Sequence, residues 1–111
     1  MRWFHFSKYT PEALAEIRAA GFAERERHGR EGSALLGAEL IAISWTLGGE
    51  WDVISLYETD DIDLALWHET GSMVAASGAY ERSEVMFAVS SEEADEAMTR
   101  NPLTAMLSPD S

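Results

Sequence analysis

Gly48-Gly49-Glu50-Trp51-Asp52 decides the fold. The stretch separates two strand-like runs, Leu40-Ile41-Ala42-Ile43-Ser44-Trp45-Thr46-Leu47 and Val53-Ile54-Ser55-Leu56-Tyr57. β-Branched and aromatic residues suit a pleated, half-buried surface, and a glycine-rich turn between two such runs predicts a hairpin. Helix-like segments flank it on both sides, so the hairpin reads as the middle of a βαββαβ unit.

Toward the N-terminus, Trp3-Phe4-His5-Phe6-Ser7-Lys8-Tyr9 predicts a first strand. Thr10-Pro11-Glu12 is a helix start: the threonine caps, the proline occupies the first helical position and the glutamate meets the positive end of the dipole. Gly21 should interrupt this helix, with a second piece resuming at Ala23. The charged run Glu24 to Gly32 predicts a solvated, frayed continuation, and Gly37 its C′ residue. Toward the C-terminus, Asp60 or Asp61 is expected to cap a helix from about Ile62 to Ala76, ended by Gly78. That helix is apolar on two sides. Ile62, Ala65, Leu66, Met73 and Ala76 lie on one side, and Leu64, Trp67, Gly71, Val74 and Ala75 on the other, which predicts burial against the sheet and against a second surface. Tyr80 to Val89 forms the last strand, and Ser90 with Glu93 makes a capping box for a short extra helix. Residues 1–100 are thus read as one α+β domain, and 101–111, with Pro109, as a loosely held tail.

Within each strand the side chains alternate between two faces. Phe4 and Phe6 oppose Trp3, His5, Ser7 and Tyr9; Ile54 and Leu56 oppose Val53, Ser55 and Tyr57; Val85, Phe87 and Val89 oppose Arg82, Glu84 and Met86. The more apolar set of each strand is expected to face the helices. The other set is too apolar to be simply wet, so a homodimer, sheet face against sheet face, is predicted.

Composition narrows the partners. A chain of 111 residues is one domain, long enough to bury roughly 60–70 % of its unfolded surface. Its net charge of −12, with 20 acidic residues against 8 basic ones, repels phosphate backbones and anionic membranes, so no nucleic-acid or membrane partner is expected. There is no cysteine, and hence no disulfide, thiolate nucleophile or thiolate metal site. No run approaches the roughly 18 apolar residues of a membrane span, and the first residues lack the pattern of a signal peptide; a cytoplasmic protein is expected.

Gly49-Glu50-Trp51-Asp52 also matches a glycine, variable residue, aromatic, aspartate signature, with tryptophan where tyrosine is usual. Together with Lys8-Tyr9-Thr10-Pro11-Glu12, Leu36-Gly37 and Ala76-Ser77-Gly78-Ala79, it makes the chain from about Phe4 to Glu93 resemble the GYD-domain family of small bacterial proteins. The resemblance implies a ferredoxin-like, four-stranded antiparallel fold of the dimeric α/β-barrel type. That architecture also looks like cofactor-free monooxygenases, small isomerases and cyclases, haem-handling proteins and regulatory ligand-binding domains. The family has no agreed activity, so the resemblance implies a fold and leaves chemistry to the residues. Trp67 and His68 depart from it, standing in a helix that looks rich in small residues in relatives.

No two of His5, His28 and His68 have the i, i+4 spacing of a helical metal pair, and no serine sits in a nucleophile elbow; neither metal nor organic cofactor is expected. Candidate proton carriers are His68, beside Trp67, and Asp52, at the start of the third strand. Tyr57 is a candidate hydrogen-bond donor. His5, Trp45, Trp51, Trp67 and Arg82 are candidate ligand contacts, the tryptophans as walls of a flat slot and Arg82 for an anionic group. Each also has a packing role: His68 at a surface or interface, Asp52 accepting turn amides or pairing with a cation, and the aromatics in the core. These residues predict a protein that binds an aromatic or polycyclic small molecule between helices and sheet, as a cofactor-free isomerase, cyclase or monooxygenase acting by acid–base chemistry. A non-catalytic ligand-binding or regulatory module is the alternative, and haem or metal handling a weaker one.

Overall fold

The chain alternates strands and helices as β1 (Arg2–Tyr9), α1 (Pro11–Ala20), α2 (Phe22–Leu35), β2 (Glu39–Trp45), β3 (Val53–Glu58), α3 (Leu64–Ala76), β4 (Tyr80–Ala88), α4 (Ser91–Arg100) and α5 (Thr104–Leu107). The structure is a computed structural model and describes residues 1–107. The four strands form one antiparallel sheet in the order β2-β3-β1-β4. This is the ferredoxin-like α+β arrangement, with the β2–β3 hairpin at its centre in sequence.

Local chemistry sets the element ends. Thr10 Oγ1 accepts from the Ala13 amide at 3.3 Å, and Pro11 opens α1. Gly21, at φ 103° and ψ 144°, turns the chain between α1 and α2, a conformation that side chains with a Cβ avoid. The charged run is a continuous helix rather than a frayed one: Arg27 bridges Glu24 and Glu31, and Arg30 pairs with Glu26 at 3.3 Å. The cap of α3 is Asp63, whose Oδ1 accepts from the Leu66 amide at 3.0 Å, and neither Asp60 nor Asp61. Thr59 holds those residues in a loop, its hydroxyl lying 2.8 Å from the Gly37 carbonyl and 2.9 Å from that of Asp61. The Ser90–Glu93 capping box is fully formed, at 3.1 and 3.0 Å. The expected tail contains α5, while Pro109 lies outside the described residues.

Strand register fixes the faces. Trp3 stands opposite Tyr57 and Phe87, His5 opposite Ser55 and Val85, and Ser7 opposite Val53 and Ser83. These residues, with Tyr9, make up the face that meets the helices, because Tyr9 and Val53 form the core with Ile17 of α1. The expectation that the more apolar set faces the helices therefore holds for β4 and is reversed for β1 and β3, where Phe4, Phe6, Ile54 and Leu56 point away. The reason lies in the side chains. Trp3, Tyr9 and Tyr57 combine large apolar bodies with polar tips, so a face that looks mixed in sequence can still pack under helices.

Helix cover is uneven. The α1–α2 pair packs on the Tyr9 end of the sheet. At the other end Trp3 is buried, stacked on Tyr57 at 5.6 Å and met edge-on by Trp67 of α3 at 5.0 Å. Beyond such contacts α3, α4 and α5 pack only sparsely on the rest of the chain, which is 62 Å long but 30 by 24 Å across. No described helix is long and apolar enough to cross a membrane.

Candidate functional site

Between the two aromatic ends, the helix face of the sheet is polar at its centre. His5 Nε2 is hydrogen-bonded to Ser83 Oγ at 2.6 Å and lies 3.4 Å from Ser7 Oγ. Ser7 and Ser55 are buried beside it. The His5 ring is met edge-on by Tyr80 at 5.8 Å, and Tyr80 in turn contacts Tyr9 at 5.1 Å. Trp45 stacks on Tyr9 at 6.3 Å, and Phe22 closes on Trp45 at 4.7 Å. The result is a histidine on a floor of hydroxyls, walled by aromatic rings.

Arg25 reaches this floor from α2. The inward stripe of that helix is Phe22, Arg25, Gly29 and Ser33, and Gly29 faces Leu40, whose Cδ2 would lie at an ordinary contact distance of 3.5 Å from a Cβ at that position. Burial and then the positive guanidinium of Arg25 hold the His5 imidazole below its ordinary pKa of 6.5. Burial, reinforced by the neighbouring Tyr80, pushes the Tyr9 phenol up to about 12. Tyr57 is raised for the same reasons, against the opposing effect of Ser55. At neutral pH the site thus holds a neutral imidazole among protonated phenols. Such a set can take a proton at nitrogen and donate hydrogen bonds to a developing oxyanion.

A cleft of about 270 Å³ opens beside this floor, between α1–α2 and α3, walled by Tyr9, Ala13, Ile17, Tyr80 and Val74 with Arg25 at its side. A wider, more open groove of about 480 Å³ lies against the β2 and β3 ends, lined by Arg30, Gly37, Glu39, Glu58 and Thr59, and has no aromatic wall.

The residues singled out from sequence divide among three places. His5, Tyr57, Trp45 and Trp67 share the helix face. Trp51 and Arg82 lie on the opposite face, where Trp51 contacts Phe6 at 5.7 Å, and Arg82 sits 5.0 Å over the Trp51 ring and donates to the Glu50 carbonyl at 3.1 Å. Asp52 is built into the turn: its carboxylate accepts from the Tyr9 amide at 2.9 Å and from Lys8 Nζ at 3.2 Å. His68 is exposed on α3, while its neighbour Trp67 turns inward. The residues that complete the floor, Ser7, Ser55, Tyr80, Ser83 and Arg25, were not singled out from sequence. Arg25 has a legible signal, since Phe22, Arg25, Gly29 and Ser33 recur at helical spacing, but the alternating charges around it hide the stripe. Among the described residues no three of His, Asp and Glu are placed to hold a metal ion together. No family model, curated protein or solved structure matches this chain.

Proposed function

We propose that the protein binds an aromatic small molecule between helices and sheet and catalyses a cofactor-free proton transfer on it, as an isomerase, cyclase or monooxygenase does. The observation that supports this is the neutral His5 on a hydroxyl floor within an aromatic enclosure. His5 takes the place of His68 as proton carrier, because His68 is exposed and Asp52 already has backbone and lysine partners. In this reading Ser83 orients the imidazole, His5 removes a proton from an acidic C–H or O–H, and Tyr57 or Tyr80 donates to the oxygen that gains charge. Trp45 and Trp67 close the enclosure at its two ends.

Membership of the GYD-domain family and assembly as a dimeric α/β barrel are part of the same proposal. Support for the dimer comes from the sheet face turned away from the helices, where Phe4, Phe6, Ile54, Leu56 and Trp51 are only half-buried and Met86 is exposed. An apolar face of this extent marks an interface. The outer side of α3 and the β4–α4–α5 arm add exposed Leu66, Met73, Val89, Met98 and Leu107.

The test is deuterium exchange. Planar aromatic ketones and phenols that quench the tryptophans are incubated with protein in D2O, and solvent exchange at their acidic C–H positions is followed by NMR. Exchange catalysed by the wild type and abolished in His5→Gln is the expected result. Binding without exchange would move the protein to the class of non-catalytic ligand-binding modules, and absence of binding by any aromatic would remove the reading.

A further inference from the structure

Arg25 stands out among the cations of this chain. Arg2, Lys8, Arg27 and Arg30 each have a carboxylate within 4.0 Å. Of the cations that form no such pair among the described residues, Arg18, Arg82 and Arg100 are exposed to water and Arg25 alone is half-buried, although the chain has 20 acidic residues to offer. The two carboxylates adjacent to it in sequence are engaged elsewhere: Glu24 is bound to Arg27 and lies 3.1 Å from His28 Nε2, and Glu26 pairs with Arg30 at 3.3 Å. Arg25 instead lies against the phenols of Tyr9 and Tyr80, at the side of the aromatic cleft, with Glu16, Glu24 and His28 also lining it. The Tyr9 phenol does not neutralise it at physiological pH, since burial pushes its ionisation up to about 12. A half-buried guanidinium without a counter-ion presents a planar fork of donors that matches a carboxylate. The cleft, about 270 Å³, lies just below the roughly 300–1,000 Å³ of pockets for drug-sized ligands, a volume that suits a mono- or bicyclic ring system.

We infer that the cleft between α1–α2 and α3 takes a mono- or bicyclic aromatic carboxylate, its ring against Tyr9, Tyr80 and Val74 and its carboxylate on Arg25. The inference rests on the reading of this face as an aromatic-ligand site and adds the charge and size of the ligand. The overall negative charge of the protein opposes approach of an anion over long distances, and salt screens that repulsion while screening the short, partly buried contact much less. Affinity for the carboxylate should therefore hold or rise with salt, the reverse of binding to a basic surface patch.

Calorimetric titration of the full chain with 1-naphthoate and with its uncharged counterpart 1-naphthamide tests this. The naphthoate is expected to bind roughly tenfold or more tightly than the amide, the scale of one charge-assisted hydrogen-bonded pair. Arg25→Gln should abolish the preference while leaving amide binding in place, Arg25→Lys should retain part of it, and Val74→Trp, which narrows the cleft without touching Arg25, should weaken both ligands. Equal binding of the two ligands by the wild type would overturn the carboxylate inference and leave the aromatic site standing. If neither ligand nor any other planar aromatic binds, both fall.

Discussion

His5 Nε2 and Ser83 Oγ are 2.6 Å apart, in a bond that runs diagonally from β1 to β4 and ties the imidazole to the edge strand. It fixes the ring on the helix face, where burial and Arg25 favour its neutral form.

That preference makes stability depend on pH with a definite sign. The unfolded imidazole binds its proton near 6.5, and the folded one only at lower pH. Between those values the unfolded state holds more protons, so the contribution of His5 is complete above 6.5 and is lost as pH falls through the folded value. Of the groups around it, Arg25, Tyr9 and Tyr57 all have pKa values raised above their ordinary ones and keep their protons in this window. His28 and His68 are exposed and common to wild type and variant. Urea midpoints measured from about pH 7.5 down to 5 should fall more steeply for the wild type than for His5→Gln. Parallel curves would show that His5 is not held neutral.

Asp52 is expected to contribute to stability rather than to turnover. It accepts the Tyr9 amide at 2.9 Å and Lys8 Nζ at 3.2 Å, joining the hairpin turn to the end of β1. Hydrogen bonds to a charged group contribute about 1.5–3 kcal/mol, so Asp52→Ala should cost about 2–3 kcal/mol in chemical denaturation. Asp52→Asn, which keeps an acceptor for the amide, should cost less. Lys8→Met removes only a partly exposed ion pair and should cost about 1 kcal/mol or less. A catalytic Asp52 would show the opposite pattern, with Asp52→Asn stable but without turnover.

How far the sequence discloses the fold can be seen in the same residues. Gly48 to Asp52, the Thr10-Pro11 start and the Ser90–Glu93 box each act within a few residues, and each is where the sequence predicts it. The faces of β1 and β3 depend on long-range register and on which strand ends α1 and α2 cover, and counting apolar residues strand by strand assigns them the wrong way round. The site was legible only in part for the same reason. His5, Tyr57 and Tyr80 are far apart in sequence and meet through β1–β3 and β1–β4 pairing. His68 drew attention by its tryptophan neighbour, yet adjacent helical residues point about 100° apart, so an inward Trp67 leaves His68 outside.

Gly21 and Gly32 should respond oppositely to alanine. Gly21, at φ 103° and ψ 144°, occupies backbone space open essentially to glycine alone, so Gly21→Ala should cost on the order of 1–3 kcal/mol. It should also weaken aromatic ligands, because the turn it makes sets the angle at which α2 delivers Arg25. Gly32 lies in the exposed part of α2 with nothing within 4 Å of a Cβ built there. Gly32→Ala should stabilise by about 0.5–1 kcal/mol and leave binding unchanged. Thermal denaturation and ligand titration of the two variants distinguish a conformational role for Gly21 from a general cost of substitution.

The row Leu56–Phe4–Met86 crosses β3, β1 and β4 on the sheet face turned away from the helices, and the single chain leaves it only half-covered. A stable interface of ordinary size buries about 800 Å² per partner, and apolar area removed from water contributes about 25 cal/mol per Å², so a second copy laid on this face is a sufficient reason for its composition. The proposed dimer should appear in analytical ultracentrifugation of the wild type. Leu56→Arg places a charge in the centre of that face without touching the helix side, and should yield a folded monomer with unchanged far-ultraviolet dichroism. Because each copy has a net charge of −12, association should tighten as salt rises from low ionic strength. A wild-type protein that sediments as a monomer throughout, or a Leu56→Arg variant that remains dimeric, would place the interface elsewhere. The exposed β4–α4–α5 arm, with Val89, Met98 and Leu107, is then the next surface to mutate.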